Sequence, residues 1–271
     1  MNSLFAFNFQ LIPYEACLNL NVDELRLAPG FDAVCTRDRL VILLQGNPAH
    51  HREAHSTAHA LARAFIHAEA FLSFPNGIVL EVEPLTWLEA QNCQCNRIVS
   101  GYMHESLRNH PLDPNHPDKA RLRRAGALVM ELDDSPSLQL ALADFHTARR
   151  QLPPYSAFYA FRVLEDVGYH FGTRRDDKPD WNAMNTALKT SEQTWKPLTD
   201  AGTFSRHLNI TKTAPFNANY PDLLGLAHEV IEKTLDYQRQ KAGSPVFDQV
   251  LVGFRFVQKF RSLDFTPSPR A

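Results

Sequence analysis

Two groups of residues have the types and spacing that chemistry needs. In the segment 155–171, Arg162, Asp166 and His170 recur every four residues, with Glu165 and Tyr169 beside them. On a helix that spacing lines them up in one stripe. Further along, Ser205-Arg206-His207 follows a stretch that reads as a helix end. If the two segments pack together, two arginines, two histidines and the carboxylates of Glu165 and Asp166 share a pocket. Arginine there would hold a phosphate through paired N–H groups, and histidine would move protons near neutral pH. The plainer reading is an i,i+4 Arg–Asp pair on a solvated face and a basic helix end favoured by the helix dipole.

The second group is His51, His55 and His59, with His50 and His67 nearby. Histidines four apart on a helix are a common zinc arrangement, completed by ligands from elsewhere. Cys93 and Cys95 are available for that purpose, although a C-x-C pair alone is a weak signal. The Glu in His51-Arg52-Glu53-Ala54-His55 does not sit where either zinc-protease motif needs it. The alternative is a histidine-rich loop and first helical turn at the edge of a buried face, with no metal. No other cofactor is indicated. The chain has no G-x-S-x-G elbow, no phosphate-binding G-x-x-x-x-G-K-[ST] loop and no G-x-G-x-x-G following a strand. Its 11 glycines are dispersed, which argues against a nucleotide cradle of backbone amides.

These residues must be held by ordinary globular elements. Of 271 residues, 44% are apolar and 21% charged, enough for one large or two modest domains. The net charge of −2 is not that of a protein that coats nucleic acid, so any RNA contact would be a local pocket. Lys119, Arg121, Arg123 and Arg124 are answered by Glu131, Asp133 and Asp134, and Arg174-Arg175-Asp176-Asp177-Lys178 is a mixed-charge loop. Four scattered cysteines do not make a disulfide framework. The opening MNSLFAFNFQLIPYE lacks the basic start of a secretory signal, and no run approaches the ~18–20 apolar residues of a spanning helix. A microbial cytoplasm and no membrane partner are the expectation.

Phe5, Phe7, Phe9 and Leu11 alternate with polar or small residues, which is strand period. Leu18, Leu20 and Val22 read as a second strand, and residues 39–44 as a central strand buried on both faces. A helix follows over about 54–74, stopped by Pro75-Asn76-Gly77, and strands are expected at 78–82 and 97–103. The proline-rich stretch NHPLDPNHP separates this half from a helical one. Helical patterns cover 118–131, 137–151, 155–171, 180–189, 191–206 and 222–241, with a further candidate at 246–261. In 155–171, Ala157, Phe158, Phe161, Leu164, Val167, Gly168 and Phe171 form a packed stripe. The expected class is α+β: a small mixed sheet with one or more helices at 1–108, a linker at 109–117, a helical bundle at 118–262 and a disordered tail at 263–271.

From about Leu138 to Leu235 the chain resembles the helical HEPN superfamily, in the form seen in uncharacterised bacterial proteins. The residues that carry the resemblance are FYAFRVLEDVGYHFG (158–172), DWNAMNTALK (180–189), TFSRHLN (203–209) and DLLGLAHEVIEKTL (222–235). It implies a four- or five-helix bundle, often a homodimer. It also implies RNA as partner, because many members are metal-independent ribonucleases of toxin, phage-defence or RNA-processing systems, while others only bind. In catalytic members an Arg precedes a His by four to six residues. The Arg holds the scissile phosphate and the His transfers the proton. Here Arg206 and His207 are adjacent and would be first-line residues, with Arg162, Glu165, Asp166 and His170 supporting.

The sequence thus leaves three classes open: a bundle that binds or cleaves RNA, a non-catalytic dimerisation or scaffold protein, and a metal-dependent enzyme built on His51, His55 and His59. Whether the protein is an enzyme is not decided at this level.

Overall fold

A computed structural model describes residues 3–12, 22–28, 31–35, 39–46, 51–77, 79–84, 117–172, 178–207 and 220–242. The described strands are β1 (Ser3–Ile12), β2 (Val22–Ala28), β3 (Phe31–Cys35), β4 (Arg39–Gly46) and β5 (Glu81–Pro84). The described helices are α1 (His51–Leu72), α2 (Pro117–Glu131), α3 (Pro136–Arg150), α4 (Tyr155–Phe171), α5 (Trp181–Leu188), α6 (Glu192–His207) and α7 (Tyr220–Lys241). The protein is α+β with a helical C-terminal part, and its described residues divide into two compact units.

The first unit holds the sheet, α1 and α2. Strand order is β2-β3-β4-β1-β5 and every described pairing is antiparallel, where a mixed sheet was expected. The β2–β3 and β3–β4 connections are too short for a crossover, so the chain reverses at each. The sequence reading did not anticipate β3, which pairs with β2 on one side and β4 on the other. The β1–β4 register pairs Phe7 with Ile42 and Phe9 with Leu40, and Ala33 of β3 lies across from Ile42. Directly opposed residues share a face, so these side chains and Leu11 form one buried layer. Val41 on the other face is buried as well, which bears out a central strand covered on both sides. Phe9→Ala is expected to cost about 3–5 kcal/mol, read from the urea midpoint, because it leaves a cavity the size of a ring.

Helix α1 lies against the aromatic layer, as its contacts from His55 and His59 to Phe7 and Phe9 require. Its buried residues, Ala58, Leu61, Ala62, Phe65 and Phe71 among them, recur at helical spacing. Helix α2 belongs to this unit, although its residues read as the first helix of the bundle. It buries Leu122, Ala125 and Leu128, and Arg121 Nε lies 3.1 Å from Glu69 Oε1 of α1. Amphipathicity fixes which face of a helix is buried but not against what. The segment 85–116, with Cys93, Cys95, the expected strand at 97–103 and most of the linker, lies outside the described residues. So do the helix expected at 246–261 and the tail.

The second unit contains α3 to α7 together with the short segment 73–79. After the turn at Leu152-Pro153-Pro154, α4 folds back along α3, and the Ser156 hydroxyl donates to the Ala148 carbonyl. Ala157, Ala160, Phe161, Val163, Leu164 and Val167 bury the inner arc of α4. Phe158 and Phe171, which the spacing assigned to that stripe, are only half-buried. Helix α6 crosses α4 at a glycine: a Cβ on Gly202 would fall inside the Phe161 ring. Asp180 caps α5 by accepting from the Ala183 amide at 2.8 Å. Trp195 of α6 donates its indole N–H towards Asn185 Oδ1 (3.1 Å) and Thr190 Oγ1 (3.2 Å), which ties α6 to the end of α5. Leu223, Ala227, Val230, Ile231 and Leu235 give α7 its buried stripe.

The segment 73–79 is part of this helical core. Phe74 stacks on His228 of α7 with centroids 5.0 Å apart and meets Phe145 of α3 edge-on at 5.6 Å. Arg149 lies over the Phe74 ring at 5.6 Å, and it donates to Ser73 Oγ at 3.2 Å and to the Gly77 carbonyl at 2.5 Å.

Candidate functional site

The polar stripe of α4 is assembled differently from a solvated Arg–Asp pair. Arg162 turns towards α3, where its Nε lies 2.7 Å from Asp144 Oδ2. Asp166, on the same helix, is only 6% exposed, and its Oδ2 is buried without a hydrogen-bond partner. Its carboxyl is within hydrogen-bonding reach of Asp144, so two acidic groups and one guanidinium meet where α3 and α4 touch. Burial first, and the Asp144 charge second, push Asp166 up to about 8, with Arg162 offsetting part of the shift. At neutral pH Asp166 therefore keeps its proton, because a second ionised carboxylate in this buried place is costly. Arg162 is held charged, chiefly by the hydrogen bond to Asp144.

His170 occupies the other end of the stripe. Its Nε2 lies 3.1 Å from Gln238 Nε2 of α7, and the same amide donates to Ser135 Oγ at 3.3 Å, just before α3. Burial, and then the Lys241 charge, lower the His170 pKa. A neutral ring accepts from the Gln238 amide, so Gln238 ties α7 to α4 through His170 and to the start of α3 through Ser135.

Arg206 and His207 form the last turn of α6 rather than a segment after it, and their side chains lie outside the described residues. The described packing of α6 on α4 runs through Gly202 and Phe161. At about 100° per residue, Phe161 is a quarter-turn or more away from Arg162 round α4. The expected common pocket of two arginines and two histidines thus rests in part on side chains that lie outside the described residues. The residue that the sequence reading missed is Asp144. Nothing in the local sequence pairs it with Arg162, because the contact exists only once α4 has folded back along α3.

The histidine stripe has a structural explanation too. The His55 ring meets Phe7 edge-on at 5.7 Å, and the His59 ring stacks on Phe9 at 5.9 Å. The side chain of His51 lies outside the described residues, as do both cysteines. Among the described residues, no group of three or more His, Cys, Asp or Glu side chains is placed to hold a metal ion. No helix among them is long and apolar enough to cross a membrane.

The outward arc of α4 completes the site. Phe158, Arg162, Glu165, Tyr169 and Tyr155 follow one another within about a quarter-turn. Tyr155 is 62% exposed and Tyr169 43%, while Phe158 and Tyr159 are half-buried and touch edge-on. Leu140 of α3 and Leu152 at the α3–α4 turn are also large apolar side chains left exposed, at 54% and 79%.

Fold and site together define an α+β protein whose helical unit holds a buried, protonated Asp166 beside the Arg162–Asp144 pair. Residues 127–239, within which this site falls, match the family described as "Domain of unknown function (DUF8168) C-terminal domain". No curated protein and no solved structure matches the chain.

Proposed function

We propose that the helical unit is a non-catalytic docking module that pairs two copies of the chain through the outward arc of α4. The observation that carries this reading is the composition of that arc, in which exposed Tyr155 and Tyr169 flank Arg162. Tyrosine and arginine are the residues that dominate binding energy at protein interfaces. The arc is also self-complementary. With two α4 helices antiparallel about a two-fold axis between positions 163 and 164, Phe158 comes opposite the partner's Tyr169. In the same register Arg162 comes opposite the partner's Glu165, and both contacts occur twice.

The same face is poorly suited to RNA. Its guanidinium is committed to Asp144 through Nε, and Glu165 stands beside it. A locally acidic surface repels phosphate. Cleavage of RNA, as the HEPN resemblance implies, rests on Arg206 and His207 instead.

One pair of experiments separates the two. Sedimentation of the full chain is expected to give a dimer that Tyr169→Arg converts to monomer by setting like charges against the partner's arc. Incubation with varied RNAs in EDTA is expected to leave them intact. If cleavage appears and is lost in both Arg206→Ala and His207→Ala, a metal-independent ribonuclease replaces the docking reading as the primary activity.

A further inference from the structure

The acid pair adjoins the edge of the proposed docking arc, and Arg162 belongs to both. Asp144 holds Arg162 Nε at 2.7 Å, while the Arg162 side chain stays 42% exposed. Asp166 sits four residues on from Arg162, nearly fully buried, with Oδ2 unpartnered. The charges bearing on Asp166 are Asp144 from α3 and Arg162 and Glu165 from its own helix. Among the described residues, none from α5, α6 or α7 joins them.

Resting on the docking reading, we infer that the proton on buried Asp166 controls pairing of the two copies by setting how much of the Arg162 charge is available to the partner's Glu165. With Asp166 protonated, Arg162 neutralises Asp144 alone, and the exposed part of its side chain meets the partner with no net charge behind it. Loss of the proton to solvent leaves Asp144 and Asp166 both anionic around one guanidinium. The site then carries a net negative charge, and the partner's Glu165 is repelled. Two-fold symmetry makes the penalty occur twice. The buried Oδ2 explains why the protonated form is the resting one: an unpaired oxygen is far less costly on a neutral acid than on a carboxylate.

The deciding experiment is sedimentation of the full chain from about pH 6.5 to pH 9, for wild type and Asp166→Asn, whose amide reproduces the neutral acid. The dimer dissociation constant of wild type is expected to rise by about tenfold or more across this range, and that of the variant by less than about twofold. Infrared spectra of wild type are expected to contain a buried protonated-carboxyl band at the lower pH that vanishes at the higher, a readout that needs no variant. A dimer whose constant is the same at both pH values overturns proton control while leaving the docking reading intact. So does absence of the carboxyl band at pH 6.5. A wild type that is monomeric at every pH overturns both.

Discussion

Asp166→Asn is expected to be more stable than the wild type above about pH 8, and its stability is expected to change little between about pH 7 and pH 9. The wild type should lose stability steadily over that interval. The folded chain holds Asp166 protonated up to about 8, whereas the unfolded chain releases that proton near the ordinary value of 3.8. Between those values the folded state binds the extra proton, so the group's contribution is complete below the lower value and is lost as pH rises through the upper. The slope is at most about 1.4 kcal/mol per pH unit. His170 works in the opposite sense. Its pKa is lowered by burial and by Lys241, so its contribution is present above the ordinary value and is lost as pH falls through the folded one. Thermal melts across pH should therefore give a maximum in which both groups are neutral. Only the alkaline side should flatten in Asp166→Asn. A variant that melts in parallel with the wild type at every pH would count against the proton on Asp166.

Gly202→Ala is expected to destabilise the protein by about 3 kcal/mol, the upper end of what overpacking a core costs. The added methyl would fall inside the Phe161 ring, and Phe161 cannot retreat because the inner arc of α4 is buried along its length. Gly225 supplies the contrast. It also lies within a helix, but a Cβ there meets nothing within 4 Å. Gly225→Ala should raise stability by up to about 1 kcal/mol, through the lower backbone entropy of the unfolded chain. Urea midpoints of the two variants should move in opposite directions.

Much of the architecture could be read from the residues because it is local. The alternation of Phe5 to Leu11 produced β1, and the helical spacing of 155–171 reproduced the bounds of α4. The direction of the strands, the attachment of α2 to the sheet unit and the second strand of the β2–β3 hairpin depend on contacts distant in sequence. The site divides in the same way. The stripe of Arg162, Asp166 and His170 follows from i,i+4 spacing, but its chemistry comes from Asp144 and Gln238, which no spacing rule connects to it. The spacing of His51, His55 and His59 left both a weak zinc candidate and plain packing at the edge of a buried face. The rings of His55 and His59 cover the aromatic layer of the sheet, because imidazole packs as an apolar body as readily as it ligates.

The segment 73–79 also sets the order in which the protein can be completed on the ribosome. The chain leaves the sheet unit after Leu72, contributes Phe74 to the helical core and re-enters the sheet unit at Leu80. Its partners Phe145, Arg149 and His228 are translated much later. At ordinary elongation rates Phe74 waits roughly ten to thirty seconds for His228 to emerge. During that interval Phe74 has none of these partners to pack on. Nascent chains long enough to bring Phe74 but not Phe145 out of the ribosome should therefore recruit hydrophobic-segment chaperones at this segment, and released full-length chains should not.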